Sequence, residues 1–255
     1  MKNLLRLGLI HLFIVINVQA TAQSSDCAAA QQLENNFFKQ WAEKKRDSAL
    51  ITAKRACYLF KNCGTGTAAY RLADTISVLY FSIRALDSTI VWNKKAIELL
   101  PNDSQKPLRH ATKLNRIAGC QYLKRDFSNM QISAENARKI LVDNGLDKTN
   151  AMLENYMHHQ RIVQEKADFG AAIRIGEDLR RLFPSVPQAD TSSMLRSYIE
   201  TAVAYQFSGN AMGALPVLQE GLALANRYSK NDRFEYLFQF YNRLGMFYRA
   251  TGQLQ

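Results

Sequence analysis

"YNRLGMFYRATGQLQ", residues 241–255, decides how the rest of the chain is read. Tyr241, Leu244 and Tyr248 fall three and four residues apart, which puts them on one apolar stripe of a helix. Gly245 lies in the next row, where a missing side chain lets a second helix cross closely. Let Tyr241 hold position 4 of a unit, so that Leu244, Gly245, Tyr248 and Gly252 hold 7, 8, 11 and 15. The same frame then works backwards along the chain. About 43 residues earlier, Tyr198, Ala202, Tyr205 and Gly209 hold 4, 8, 11 and 15, with Ala214 at 20 and Gly221 at 27. About 42 before that, Tyr156 opens a unit with Ala167, Phe169, Ala172 and Leu179 at 15, 17, 20 and 27, and Pro184 at 32. Leu114, Ile117, Ala118, Phe127, Ala134 and Ala137 mark a further unit. Ile76, Tyr80 and "KKAIELLPND" (94–103) mark the one before it, with Ala96 at 27 and Pro101 at 32. In the earliest unit Ala49, Ala53 and Ala56 keep the 20, 24, 27 spacing.

Five helical hairpins of about 40–43 residues therefore fit, and a sixth is begun. Composition agrees: Ala, Leu, Lys, Glu, Arg and Gln dominate, Gly and Pro are few, and alternating Val/Ile/Thr runs are scarce. "PNDSQKP" (101–107), "FPSVPQADTSS" (183–193) and "NCGTGT" (62–67) read as the connections between hairpins, while "SD" (25–26) and "DS" (47–48) read as helix caps. Small residues at 8, 20 and 27 with aromatics at 4 and 11 resemble the tetratricopeptide repeat (TPR). The period exceeds the usual ~34 residues, which resembles the extended TPR variants of kinesin light chains and bacterial signalling proteins. The resemblance implies an all-α, right-handed superhelical array of antiparallel hairpins over residues 23–255, with helix A of each hairpin on the concave side. It also leaves the helix at 241–255 without its helix B, so the expectation is a segment of a longer protein.

The amino terminus reads separately. Lys2 and Arg6 precede an apolar run, "LGLIHLFIVINV" (7–18), and "ATA" (20–22) places small residues for a cut after Ala22. These are the three parts of a secretory leader, so residues 1–22 are expected to direct export. The run is short of the roughly 20 residues that span a bilayer. The residues before Cys27, "QSSD", do not fit a lipid-attachment box. The chain is 47% hydrophobic and 22% charged, a globular composition. Its 33 basic residues exceed its 22 acidic ones, giving a formal +11, but the charges are dispersed, which suits a solvated helical surface better than nucleic-acid binding.

Little points to chemistry. Export permits disulfides among the four cysteines. If the first hairpin turns near residues 45–46, Cys27 lies opposite about residue 64, which makes Cys63 its natural partner; Cys57 lies deeper, and free thiols or a Cys27–Cys57 pair are the alternatives. Cys120 reads as a small core residue. No C-x-x-C, G-x-S-x-G or phosphate-loop pattern occurs. His158 and His159 are adjacent and diverge on a helix, one toward solvent and one toward the core. No catalytic, cofactor or metal site is expected, and the segment is not read as an enzyme.

What remains is a surface. The resemblance implies that positions 2, 5, 9, 12 and 13 of helix A face the groove. Here those positions include Arg71, Asp74, Phe81, Asn115, Tyr122, Arg161, Gln164, Arg196, Gln206 and Arg249. Arginines among aromatics and amides suit a protein or an extended peptide of some acidic character; the Lys/Asn set that clamps a C-terminal carboxylate is not evident. A leader followed by long-period repeats resembles the extracytoplasmic half of certain bacterial membrane histidine kinases and transcriptional regulators. The alternative is a stand-alone periplasmic scaffold.

Overall fold

The computed structural model describes residues 25–228 and 232–253, so the leader read at 1–22 lies outside the described residues. The helix-forming composition is realised as eleven α-helices, with no strand among the described residues. They are α1 (25–42), α2 (Arg46–Asn62), α3 (Gly66–Ser82), α4 (Leu86–Glu98), α5 (Lys106–Leu123) and α6 (Phe127–Asp143). There follow α7 (Asn150–Glu165), α8 (Phe169–Leu182), α9 (Thr191–Phe207), α10 (Ala211–Arg227) and α11 (Arg233–Ala250). A 3-10 turn, Phe183–Ser185, follows α8 at Pro184. Odd-numbered helices are the A helices of the sequence frame and even-numbered ones the B helices.

One turn recurs between A and B. A residue in the left-handed region stands after α1, α3, α5, α7, α9 and α11: Lys44, Arg84, Arg125, Ala167, Gly209 and Gly252. At Arg84, Arg125, Ala167 and Gly252 the next amide reaches back to a carbonyl of the last helical turn, as in Asp126 N to Gln121 O (2.9 Å) and Gln253 N to Tyr248 O (2.9 Å). This satisfies carbonyls that the helix end would otherwise orphan. The reversed chain is then capped. Asp126, Asp168 and Asn210 accept from the amides of Asn129, Ala171 and Gly213. The first turn differs from the sequence reading. α2 begins at Arg46, so Asp47 sits in its first turn, where it favours the positive helix end, and is not a cap. Likewise α5 starts at Lys106, before Pro107, because proline is tolerated in a first turn. α9 starts at Thr191, because Asp190 accepts from Ser193 N and draws "TSS" into the helix.

The chain divides into two compact units, one up to Arg109 and one from His110. In the first, α1 to α4 pack in order. Ala49, Ala53 and Ala56 on α2, Ala69 and Ala73 on α3, and Ala96 on α4 are fully buried and let the helices approach. Phe37, Phe60, Leu72 and Ile76 fill the space between them, each buried side chain being worth about 1.5–3 kcal/mol. Cys27 and Cys63 are joined by a disulfide across the open end of α1 and α2, with Cα atoms 5.5 Å apart. Cys57 and Cys120 are free and buried.

The second unit has no single centre. Its apolar residues form successive clusters: Ala118, Met130, Ala134 and Ile162; then Leu153, Met157, Leu179 and Met194; then Leu195, Ala202, Leu218, Phe240 and Phe247. Each cluster joins a hairpin to the next one in sequence. Burial between neighbours, rather than around a common core, is the organisation of a helical repeat.

Candidate recognition surface

In the second unit the A helices are linked by side chains that sit one repeat apart. The guanidinium of Arg161 (α7) lies 4.3 Å from the centre of the Tyr122 ring (α5) and donates to Glu200 (α9) at 2.8 Å. Gln164 donates to the Glu200 carbonyl at 2.6 Å. Arg196 (α9) donates to the Tyr236 hydroxyl (α11) at 3.0 Å. Two sets of contacts result: one joins α5, α7 and α9 through Tyr122, Arg161, Gln164 and Glu200, and the other joins α9 and α11 through Arg196 and the buried Tyr236. Burial, with Glu200 adding to it, holds the Tyr122 phenol above its ordinary pKa, so it stays protonated. Gln206 is half-buried and Arg249 exposed at the carboxyl ends of α9 and α11.

This placement changes the sequence reading of the groove. Asn115 does not face a groove. It is fully buried, donates to Ala151 O (2.7 Å), and accepts from Asn155 (3.1 Å), because α5 and α7 approach closely there and their backbones need polar partners. Arg161 and Glu200 neutralise each other while mostly shielded from solvent. The surface there is charge-balanced rather than basic. In the first unit, Arg71 lies exposed on α3 and pairs at 2.7 Å with Glu34 of α1, whose carboxylate is almost fully buried. Asp74 is half-buried and Phe81 is exposed.

A second set of buried polar residues escaped the sequence reading, Gln160 because it occupies a position expected to be small and apolar. Gln160 stands at position 8 of its unit and is fully buried. It donates to Thr201 Oγ1 (2.8 Å) and Ala172 O (3.1 Å) and accepts from Ser197 (3.1 Å). Room for it comes from Gly176 on α8, where a Cβ would lie 2.7 Å from Gln160 Nε2 and 2.1 Å from Thr201 Oγ1. A large residue on one helix is matched by glycine on the facing one. Elsewhere Asn155 donates to Asn115 and to Ala134 O, and Asn93 donates to Thr89 O on its own helix and accepts from Ser77. For Gln160 the signal was a polar residue at position 8, in phase with the small ones of other units.

Both histidines of α7 turn inward. His158 is buried, its ring nitrogens without a hydrogen bond, with Nε2 3.8 Å from Glu154. His159 is largely buried; burial, and then Arg138, pushes its pKa down to about 4. One of the pair was expected to face solvent. α7 packs against α6, α8 and α9, so little of its circumference is left for water. Burial also drives the Cys120 thiol up to about 11. Among the described residues no three His, Cys, Asp or Glu side chains are grouped to hold a metal ion, and no helix is long and apolar enough to cross a membrane.

No protein-family model matches the chain, and no curated protein matches it. Solved structures do. BtubC (BKLC) from P. vanneervenii aligns with a TM-score of 0.62 at 13% identity, over 84% of this chain and 94% of that one. The apo form of RapI aligns with a TM-score of 0.72 at 11% identity, over 86% of this chain and 59% of RapI. Nearly identical TPR-like repeats of a kinesin light chain from Podosopora anserina align with a TM-score of 0.55 at 12% identity, over 79% of this chain and 97% of theirs. At these identities the likeness is one of fold: the chain has a TPR-like helical-repeat architecture, as the sequence resemblance implied.

Proposed function

We propose that this chain is an exported protein-interaction module, the sensory or scaffold segment of a bacterial signalling protein such as a membrane histidine kinase or transcriptional regulator. It binds a protein or an extended peptide along its A helices. The observation that carries this reading is the set of A-helix contacts from Tyr122 through Arg161 and Gln164 to Glu200, with Arg196 exposed one helical turn before Glu200 on α9. A peptide laid across successive repeats meets rings and amides at regular intervals, the arrangement that reads an extended backbone. The Arg161–Glu200 pair neutralises itself, so an acidic group on the partner would be met by exposed cations such as Arg196 and Arg249. Export is supported by the leader pattern at 1–22 and suits the Cys27–Cys63 bond, since disulfides persist in oxidising compartments.

The test has two arms. Peptides selected by display on the purified chain should lose about tenfold or more in affinity for Tyr122→Ala or Gln206→Arg, and none for Ile132→Ser, an exposed B-helix change. Peptides indifferent to both A-helix variants would sink the groove reading. Expressed with residues 1–22, the chain should be recovered outside the cytoplasm, cut after Ala22; retention inside with the leader intact would sink export. The gene beyond codon 255 separates sensor from scaffold. A membrane span followed by a kinase or DNA-binding domain supports the first, and a stop after one or two more hairpins the second.

A further inference from the structure

In the first unit, Glu34 on α1 and Arg71 on α3 form an ion pair that is buried on one side only. The Glu34 side chain is 3% exposed and that of Arg71 63%. Both carboxylate oxygens of Glu34 accept a hydrogen bond, Oε1 from Arg71 Nη2 (2.7 Å) and Oε2 from Gln31 Nε2 (3.2 Å). Nε and Nη1 of Arg71 have no hydrogen-bond partner among the described residues. The guanidinium is thus pinned from beneath, with open donors toward solvent. Arg161 and Glu200 differ, since their side chains are about equally shielded, at 15% and 17% exposed. Asp74, three residues after Arg71, has partners of its own. Apolar side chains stand beside the cation. α1 and α3 run parallel, as alternate helices of an antiparallel array. Phe38 follows Glu34 by one turn, on the same face. It is 55% exposed, its ring 4.8 Å from that of the buried Phe37. Val78 follows Arg71 by two turns and is 46% exposed. The Cys27–Cys63 bond ties the start of α1 to the end of α2, which helps to fix the wall that carries Glu34 and Phe38.

Resting on the A-helix reading above, we propose that this face of α1 and α3 takes an extended peptide segment in which an acidic side chain and an apolar one stand two residues apart. The acidic group accepts from Arg71 at an open donor, a charge-assisted bond to a guanidinium already held in place. The apolar side chain lies over Phe38 and Val78. The spacing follows from the two geometries. One helical turn, from Glu34 to Phe38, advances about 6 Å. Two residues of an extended chain advance about 6.6 Å and bring the side chain back to the same face. A wholly apolar ligand would cover the donors of Arg71 without pairing them. A free anion would leave Phe38 and Val78 in water. A segment with both groups at this distance satisfies the cation and the apolar wall together.

The probe is a phage-displayed library of short random peptides, panned on the purified full chain, with the winners resynthesised, labelled and titrated. Winners are expected to carry Asp or Glu two positions from a branched apolar or aromatic residue, in either chain direction. Their affinity should fall about tenfold or more for Phe38→Ser. It should fall equally for the double variant Glu34→Gln/Arg71→Gln, which removes the guanidinium without stranding a buried carboxylate. A Tm close to the parent's checks that both variants fold. Changing the acidic residue of a winner to its amide should cost the same factor against the parent chain and nothing further against the double variant, as direct contact requires. Winners that weaken with Tyr122→Ala but not with these variants would overturn the proposal and leave the A-helix reading standing. Winners indifferent to Tyr122→Ala and to these variants alike would remove both. A library that yields no winner, or winners without an acidic residue at that spacing, would overturn the proposal as well.

Discussion

Gly176 shows how single residues set helix spacing. It is in mid-helix, where glycine costs about 1 kcal/mol against alanine, yet alanine there would drive a methyl into Thr201 Oγ1 and Gln160 Nε2. Neither is a flexible chain end, since both sit in a buried hydrogen-bond set. Gly176→Ala should therefore lose about 2–4 kcal/mol by urea denaturation, the cost of overpacking plus a broken buried network. Gly66→Ala, with nothing within 4 Å, should change stability by less than about 0.5 kcal/mol. Equal effects at both sites would mean that the Gln160–Thr201 contact is not tight. His159 carries a pH dependence of definite sign. Its folded pKa is about 4, against an ordinary 6.5. Between these values the unfolded chain binds the proton more readily, so stability is full above about pH 6.5 and declines as pH falls toward 4. The ceiling is about 3 kcal/mol. His159→Gln should flatten that decline in denaturation midpoints compared at pH 7.5 and 4.5, and an unchanged slope would assign it to other groups.

At the scale of the helix, the turns hold a testable strain. Ala167 occupies the left-handed region at φ 58°, where Gly209 and Gly252 stand in two later repeats. A side chain there costs about 1–2 kcal/mol, partly offset by the restraint alanine places on the unfolded chain. Ala167→Gly should thus stabilise by a net ~0.5 kcal/mol, with the α7–α8 packing unchanged; a loss of stability would mean the Ala167 methyl makes contacts that outweigh its backbone strain. Helix order and pairing were legible because every interface reuses one spacing: Ala49, Ala53 and Ala56 are all fully buried, as their spacing implied. The groove was less legible. Position in the repeat says which way a residue points, but not whether a neighbour one repeat away takes it. Asn115 is consumed by the Ala151 carbonyl and Arg161 by Glu200, partners 36 and 39 residues distant. Gln160 was missed for a related reason: its size is tolerable only because Gly176 faces it, a compensation visible once two helices are set together.

For the whole molecule, burial between neighbours implies that stability is local, and the disulfide tests this. Cys27 and Cys63 are 36 residues apart in sequence, and in the chain-entropy description a loop of that length contributes about 4 kcal/mol. In a structure with one central core, removing the bond would weaken every element alike. In a repeat, the loss should stay with the helices it ties and fade with each interface crossed. The double variant Cys27→Ser/Cys63→Ser should show faster amide exchange in α1 and α2, a smaller change in α3 and α4, and none in α9 to α11. Cys57 and Cys120 do not confuse the measurement. Both are buried, and burial raises their thiol pKa, so little thiolate forms to exchange with the bond. A uniform rise in exchange from α1 to α11 would show one cooperative core and contradict the clusters. A graded loss would show that each hairpin is held by its neighbours.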